Sequence, residues 1–313
     1  MIRTPDFIII GAMKCATSTL HDQLARQTGI FMSEPKEPNF FSDDAHYGRG
    51  IEWYRSLFDG AARDDICGES STHYTKRPTH PDTLARMSQH LDKVKLVYVM
   101  RHPIERLISH YVHEWTEGTM SGPIEAEIER SGHLVAYGCY AMQVRPYFTV
   151  YGRENVLPVF FERFIAEPQA ELERVCRFIG YEGRPVWRGD EDPLNVSSER
   201  LRKSRLRDAI VWNPAATWLR RRFVPQSWRD RVKRLWQMNK RPRLGPDTHV
   251  RLARKFDEDL AELGGWLGIE LNCATFKEAV TAGPLDFVGS GRPSSGPTSS
   301  TNSPTSLSAP PVA

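Results

Sequence analysis

Lys14, Thr17, Ser18 and Thr19 fall in one short run, Gly11-Ala12-Met13-Lys14-Cys15-Ala16-Thr17-Ser18-Thr19, whose other members are mostly small. A mobile positive charge and three hydroxyl donors beside residues that let a ligand approach the backbone make a cradle for an anion. A second set follows in Arg101 and Ser109: a planar guanidinium can hold a phosphate by two hydrogen bonds, and the serine hydroxyl lies two helical turns further on. Lys240 and Arg241, in Lys240-Arg241-Pro242-Arg243-Leu244, are a third basic point, with a solvated basic run as the equal alternative. Glu37 and His73 are two further ionisable side chains, both in loops. Two anion sites suit a ligand charged at both ends.

The elements that must position these residues alternate between strand and helix. Phe7-Ile8-Ile9-Ile10 reads as a buried parallel strand that Gly11 breaks. Thr17-Ser18-Thr19 should supply the N-cap of a helix whose apolar face includes Leu20 and Leu24. A helix start of this kind turns unpaired amides and its dipole toward an anion. The spacing departs from Gly-x4-Gly-Lys-[Ser/Thr], because the lysine precedes the hydroxyl run and Cys15 follows it. An ordinary strand–turn–helix with a surface lysine is the plain alternative.

Gly29 to Met32 forms a short strand, and Pro35 and Pro38 then forbid helix, so Glu34, Lys36 and Glu37 project from an extended loop anchored by Phe40-Phe41. Trp53, Tyr54, Leu57 and Phe58 have helical spacing, and Ile66 to Tyr74 reads as a strand end with a polar loop. Val94 to Met100 is the clearest strand after the first. It delivers Arg101 to the crevice at its carboxyl end, and Pro103 starts a helix through Trp115. The plain alternative for Arg101 is a capping arginine paired with Glu105. Further helices are expected over Tyr137–Tyr151, Pro168–Ile179 and Asp247–Leu267. A strand is expected over Val156–Phe161, at an edge or an end because of Pro158. This pattern predicts one α/β domain over residues 1–287, an open parallel sheet flanked by helices, and a disordered Ser/Pro/Thr-rich tail over 288–313.

With 40% hydrophobic and 26% charged residues the 313-residue chain is globular, and its net charge of +3 gives no ground for a nucleic-acid partner. No stretch has the length of a membrane span or a signal peptide's apolar region. Five scattered cysteines, with no Cys-x2-Cys pair, point to reduced thiols and no zinc site. Cys15 is either a reactive thiol of the anion loop or a small filler. The basic stretch 200–236, with four tryptophans, suits an acidic or sugar acceptor, a peripheral membrane contact, or simply core.

The first run resembles the 5′-phosphosulfate loop of sulfotransferases that use 3′-phosphoadenylyl sulfate (PAPS), Gly-x-x-Lys-x-Gly-Thr-[Ser/Thr]-x-Leu, with Ala16 at the usual glycine. Arg101-His102-Pro103-Ile104-Glu105-Arg106-Leu107-Ile108-Ser109-His110-Tyr111 resembles the family's 3′-phosphate motif, and Lys36-Glu37-Pro38-Asn39-Phe40-Phe41 its heparan-type Glu-Pro-His-Phe-Phe segment. The resemblance implies a P-loop-like sulfotransferase domain. Its donor would be bound by Lys14, Cys15, Ala16, Thr17, Ser18, Thr19, Arg101, Ser109, Lys240 and Arg241, without a metal. Lys14 would neutralise the leaving oxygen. Glu37 would be the base, with His73 its rival because phenol and steroid sulfotransferases use histidine nearby. Ser70 stands where the heparan type carries lysine. The acceptor would be a carbohydrate, glycolipid or natural-product hydroxyl. Animal relatives are Golgi membrane proteins, so a chain without an anchor is expected to be cytoplasmic. The rivals are a P-loop kinase or NTPase, and an inactive module that binds adenosine 3′,5′-bisphosphate.

Overall fold

The computed structural model describes residues 3–189 and 241–288. Five strands, β1 Phe7–Gly11, β2 Ile30–Met32, β3 Ile66–Ser70, β4 Lys95–Met100 and β5 Val156–Phe160, form one sheet in the order β2-β3-β1-β4-β5. Every pairing is parallel. The connecting helices are α1 Thr17–Ala25, α2 Asp44–Tyr47, α3 Ile51–Ser56, α4 Thr83–His90, α5 Pro103–Glu117, α6 Ile124–Arg130, α7 His133–Ala136, α8 Tyr140–Tyr151, α9 Phe161–Ala166 and α10 Pro168–Ile179. After the undescribed segment come α11 Pro246–Leu267 and α12 Phe276–Thr281.

β1 is buried along its whole length, as a strand covered by helices on both faces requires. Among the described residues β5, with Pro158 inside it, pairs only with β4 and so takes the edge position where a missing amide costs least. α10 buries Leu172, Val175, Cys176 and Ile179, an i, i+3, i+4, i+7 stripe.

Three expectations need correction. The cap position of α1 is Ala16, at φ 66°, and no side chain caps the helix, so Thr17 is its first residue and not its cap. α8 begins at Tyr140, not Tyr137, because the chain turns at Gly138, where a Cβ would come within 2.9 Å of Phe256. Asp259 of α11 then accepts hydrogen bonds from the Ala141 and Met142 amides, both at 2.9 Å, and caps α8 from a distant part of the chain. The helix expected through Phe58 ends at Ser56. Lys240, the region 200–236 and the tail from 289 lie outside the described residues.

Gly68 of β3 leaves no room for a side chain. A Cβ there would lie 2.2 Å from Phe7 Cζ and 2.6 Å from Met32 Sδ, both in the core. Overpacking of this kind costs about 1–3 kcal/mol. Gly68→Ala is therefore expected to lower the unfolding free energy measured in urea by that amount, and an unchanged midpoint would show that the β1–β3 face can yield.

Candidate functional site

The site forms where β1, β3 and β4 end side by side. Ala12 N–H donates to Val99 O at 2.7 Å, tying the loop after β1 to β4. On the other flank Ser71 N–H donates to Ile9 O at 3.1 Å, and Thr75 Oγ1 donates to Ile10 O at 2.9 Å. Gly11 is obligatory, since at φ 147° its Cβ would fall 2.0 Å from Thr75 Oγ1.

Beyond Gly11 the loop winds through left-handed conformations at Lys14 (φ 71°) and Ala16 (φ 66°). Alanine at such a position carries the strain a glycine would avoid, which is why Ala16 stands out in the sequence. The first amide of α1 to pair is that of Leu20, on Ala16 O at 3.1 Å, so the amides of Thr17, Ser18 and Thr19 form the open helix start. Lys14 and Thr19 are partly exposed and Ser18 fully so, whereas Thr17 is buried. Cys15 turns inward. Its Sγ lies 4.0 Å from the Tyr140 hydroxyl, its amide donates to Ala12 O, and burial pushes the thiol up to about 12. It shapes the loop as filler and is not a reactive thiolate.

Glu37 is fixed by its own backbone and by two neighbours. Its amide donates to Ser70 O at 2.9 Å, extending the end of β3. Lys36 Nζ donates to Oε1 at 2.9 Å, and Thr72 Oγ1 donates to Oε2 at 3.2 Å. Burial works to raise the carboxyl's pKa, but Lys36, Lys76 and the Thr72 hydroxyl outweigh it and hold the group below the usual carboxylate range. His73, in the 3-10 turn Thr72–Thr75, stacks on His80 at 4.6 Å. Burial, with Lys76 and His80, depresses its pKa to about 4, so the ring is neutral near pH 7. Ser70 Oγ is hydrogen-bonded to His21 Nδ1 at 2.9 Å, facing the first helix.

Arg101 emerges from β4 with its guanidinium 4.4 Å over the Phe161 ring and Nη2 on Glu105 Oε2 at 3.0 Å. The pairing with Glu105 foreseen from the sequence is present, yet Nε is buried without a partner among the described residues, a donor left for a ligand. Ser109 lies two turns into α5, partly exposed, and Arg241 reaches the start of the same helix through Glu105 O at 3.3 Å.

Two further residues contribute, to neither of which the sequence assigned a place in the site. Lys76 is only 9% exposed, and burial pushes its amine down to about 8 against the pull of Glu37 and Glu114. Its place one residue after Thr75 was a weak signal. Tyr140 joins the loop after β1 to the end of β4: its hydroxyl donates to Arg101 O at 2.5 Å, accepts from Arg101 N–H at 3.2 Å, and faces Cys15 Sγ. Among the described residues, no three His, Cys, Asp or Glu side chains gather as metal ligands, and no helix is long and apolar enough to cross a membrane.

Comparison with known proteins identifies the family. A family model described as "Sulfotransferase domain" matches residues 4–208. Heparan sulfate glucosamine 3-O-sulfotransferase 3B1 of Mus musculus is 29% identical over 185 residues, covering 56% of this chain and 46% of that protein. The membrane-associated sulfotransferase kil1 of Dictyostelium discoideum is 32% identical over 136 residues, 42% of this chain and 27% of that one. The chain thus spans about half the length, or less, of these curated relatives. A sulfotransferase structure from Alicyclobacillus acidocaldarius superposes with a TM-score of 0.61 at 22% identity, covering 86% of this chain and 98% of that one, a likeness of fold.

Proposed function

The chain belongs to the sulfotransferase family, and on that premise we propose that it moves a sulfuryl group from PAPS to a hydroxyl, releasing adenosine 3′,5′-bisphosphate. The observation that carries the reading is the junction of three strand ends: hydrogen bonds from Ser71 N–H to Ile9 O and from Ala12 N–H to Val99 O gather the anion loop, the Glu37 loop and Arg101 at one sheet edge. Open parallel sheets bind ligands at that edge.

PAPS supplies an activated sulfuryl group, and this chain's residues supply position and charge. The open amides of α1 and Lys14 suit the 5′-phosphate, whose oxygen takes over the electron pair of the breaking S–O bond. Arg101, whose Nε has no partner among the described residues, suits the 3′-phosphate, with Arg241 on the Glu105 carbonyl and Ser109 two turns along α5 as further donors. Glu37 accepts the acceptor's proton as the acceptor oxygen bonds to sulfur. Glu37 is ionised near pH 7, and the Thr72 hydrogen bond that orients it supports this role over His73. The matched mouse enzyme, named for a heparan sulfate glucosamine acceptor, favours a carbohydrate hydroxyl over the other two classes.

The test has two stages. Adenosine 3′,5′-bisphosphate is expected to raise the melting temperature while magnesium-ATP does not, and sulfur-labelled donor should then label a saccharide acceptor. Stabilisation by magnesium-ATP alone would turn the reading toward a kinase. Bisphosphate binding with no transfer to saccharide, glycolipid or natural-product acceptors would leave only a binding module.

A further inference from the structure

Glu105, in the first turn of α5, has each carboxylate oxygen on a different cation. Oε2 accepts from Arg101 Nη2 at 3.0 Å and Oε1 from Lys277 Nζ at 2.5 Å. The main-chain carbonyl of the same residue accepts from Arg241 Nη2 at 3.3 Å. These cations come from the end of β4, from α12 and from the approach to α11. Packing brings them together: His102 Nε2 is hydrogen-bonded to Cys273 O at 3.0 Å, and Phe276 meets the His102 ring edge-on at 5.7 Å. Glu162, the other acid here, accepts from His102 N–H at 2.8 Å through Oε1, while its Oε2 is buried without a hydrogen-bond partner among the described residues. The Glu105 carboxylate therefore faces two cations, with a third on its carbonyl, and Arg101 Nε is buried and unpartnered among the described residues.

We propose that Glu105 is a resident counter-ion that holds Arg101 and Lys277 ready for the donor's 3′-phosphate, and that Lys277 is a further donor-binding residue. The inference rests on the donor reading above and adds a residue to it from α12, beyond the matched family segment 4–208. A phosphate monoester brings close to two negative charges and three acceptor oxygens to a pair that now shares one carboxylate. The Glu105 side chain, 32% exposed, can turn to water when the phosphate arrives.

Calorimetry on the full chain tests this with two nucleotides that differ by one group, adenosine 3′,5′-bisphosphate and adenosine 5′-monophosphate. Lys277→Ala is expected to raise the bisphosphate Kd about tenfold, the low end for a hydrogen bond to a charged group since Lys277 is more than half exposed. The monophosphate Kd should stay within about twofold. Lys277→Arg should recover most of the loss, and Glu105→Gln should tighten the bisphosphate. Lys255→Ala, which removes the same charge from an exposed pair with Glu258, should change neither nucleotide. Equal losses for both nucleotides, no loss for either, a selective loss in Lys255→Ala, or weaker bisphosphate binding in Glu105→Gln would each overturn the assignment. Wild-type protein that does not prefer the bisphosphate would sink the donor reading and this inference together. A wild type that prefers it, with a Lys277→Ala variant that prefers it equally, sinks the inference alone.

Discussion

Lys14→Ala is expected to lower the single-turnover rate by about a thousandfold, in line with the loss of a preorganised group that meets charge developing in the transition state. The sulfuryl group leaves a phosphate oxygen that gains negative charge, and Lys14 sits in the turn between β1 and the open start of α1 where that oxygen would lie. Its backbone is left-handed, φ 71°, so a change at this residue acts on conformation as well as on charge. Lys14→Gly separates the two effects, since glycine adopts this φ without strain. Both variants should be equally slow. A glycine variant with near-wild-type turnover would mean that the loop's shape, and not the ammonium, carries the effect.

Glu37→Gln should lose between about a hundred- and ten-thousandfold in turnover, the range for a general base, with the Kd for adenosine 3′,5′-bisphosphate unchanged within about twofold. The amide keeps the side chain's size and can still accept from Thr72, but it cannot take a proton. The acid limb of the wild-type rate should fall below the usual carboxylate pKa. Burial alone would raise the group, but the neighbouring Lys36 and Lys76 cations and the Thr72 hydroxyl keep it ionised until the pH drops further. His73 is also depressed, to about 4, by burial, Lys76 and His80, so the pH profile does not separate the two candidates and the variants must. His73→Ala is expected to keep most of the rate. Near-normal turnover in Glu37→Gln beside a dead His73→Ala would reverse the roles.

The chain order told a good deal without coordinates. The apolar run Phe7–Ile10 with its glycine break, the strand ending at Arg101, the proline-opened helix at Pro103 and the helix Pro168–Ile179 are local patterns of period and punctuation, and each stands where it was expected. The two motifs expected to hold anions are local in the same way, since each lies within a single strand–turn–helix unit. Pro158 carried one long-range fact, because a residue without an amide belongs at an edge.

Adjacency and burial were decided by the folded structure. Strand order β2-β3-β1-β4-β5 places the ends of β3 and β4 on either side of β1, and only this pairing brings Glu37, Thr72 and Lys76 beside the anion loop. Nothing in the residues around Cys15 said that its thiol faces Tyr140 and not the ligand, or that Ala16 and not a hydroxyl residue takes the cap position. Lys277 resembles any other lysine on a short helix until packing against His102 sets it on Glu105. Periodicity and turn chemistry are properties of neighbours along the chain. Which strand ends meet, and which charges share a pocket, depends on contacts between residues far apart in sequence, and those exist only once the sheet has closed.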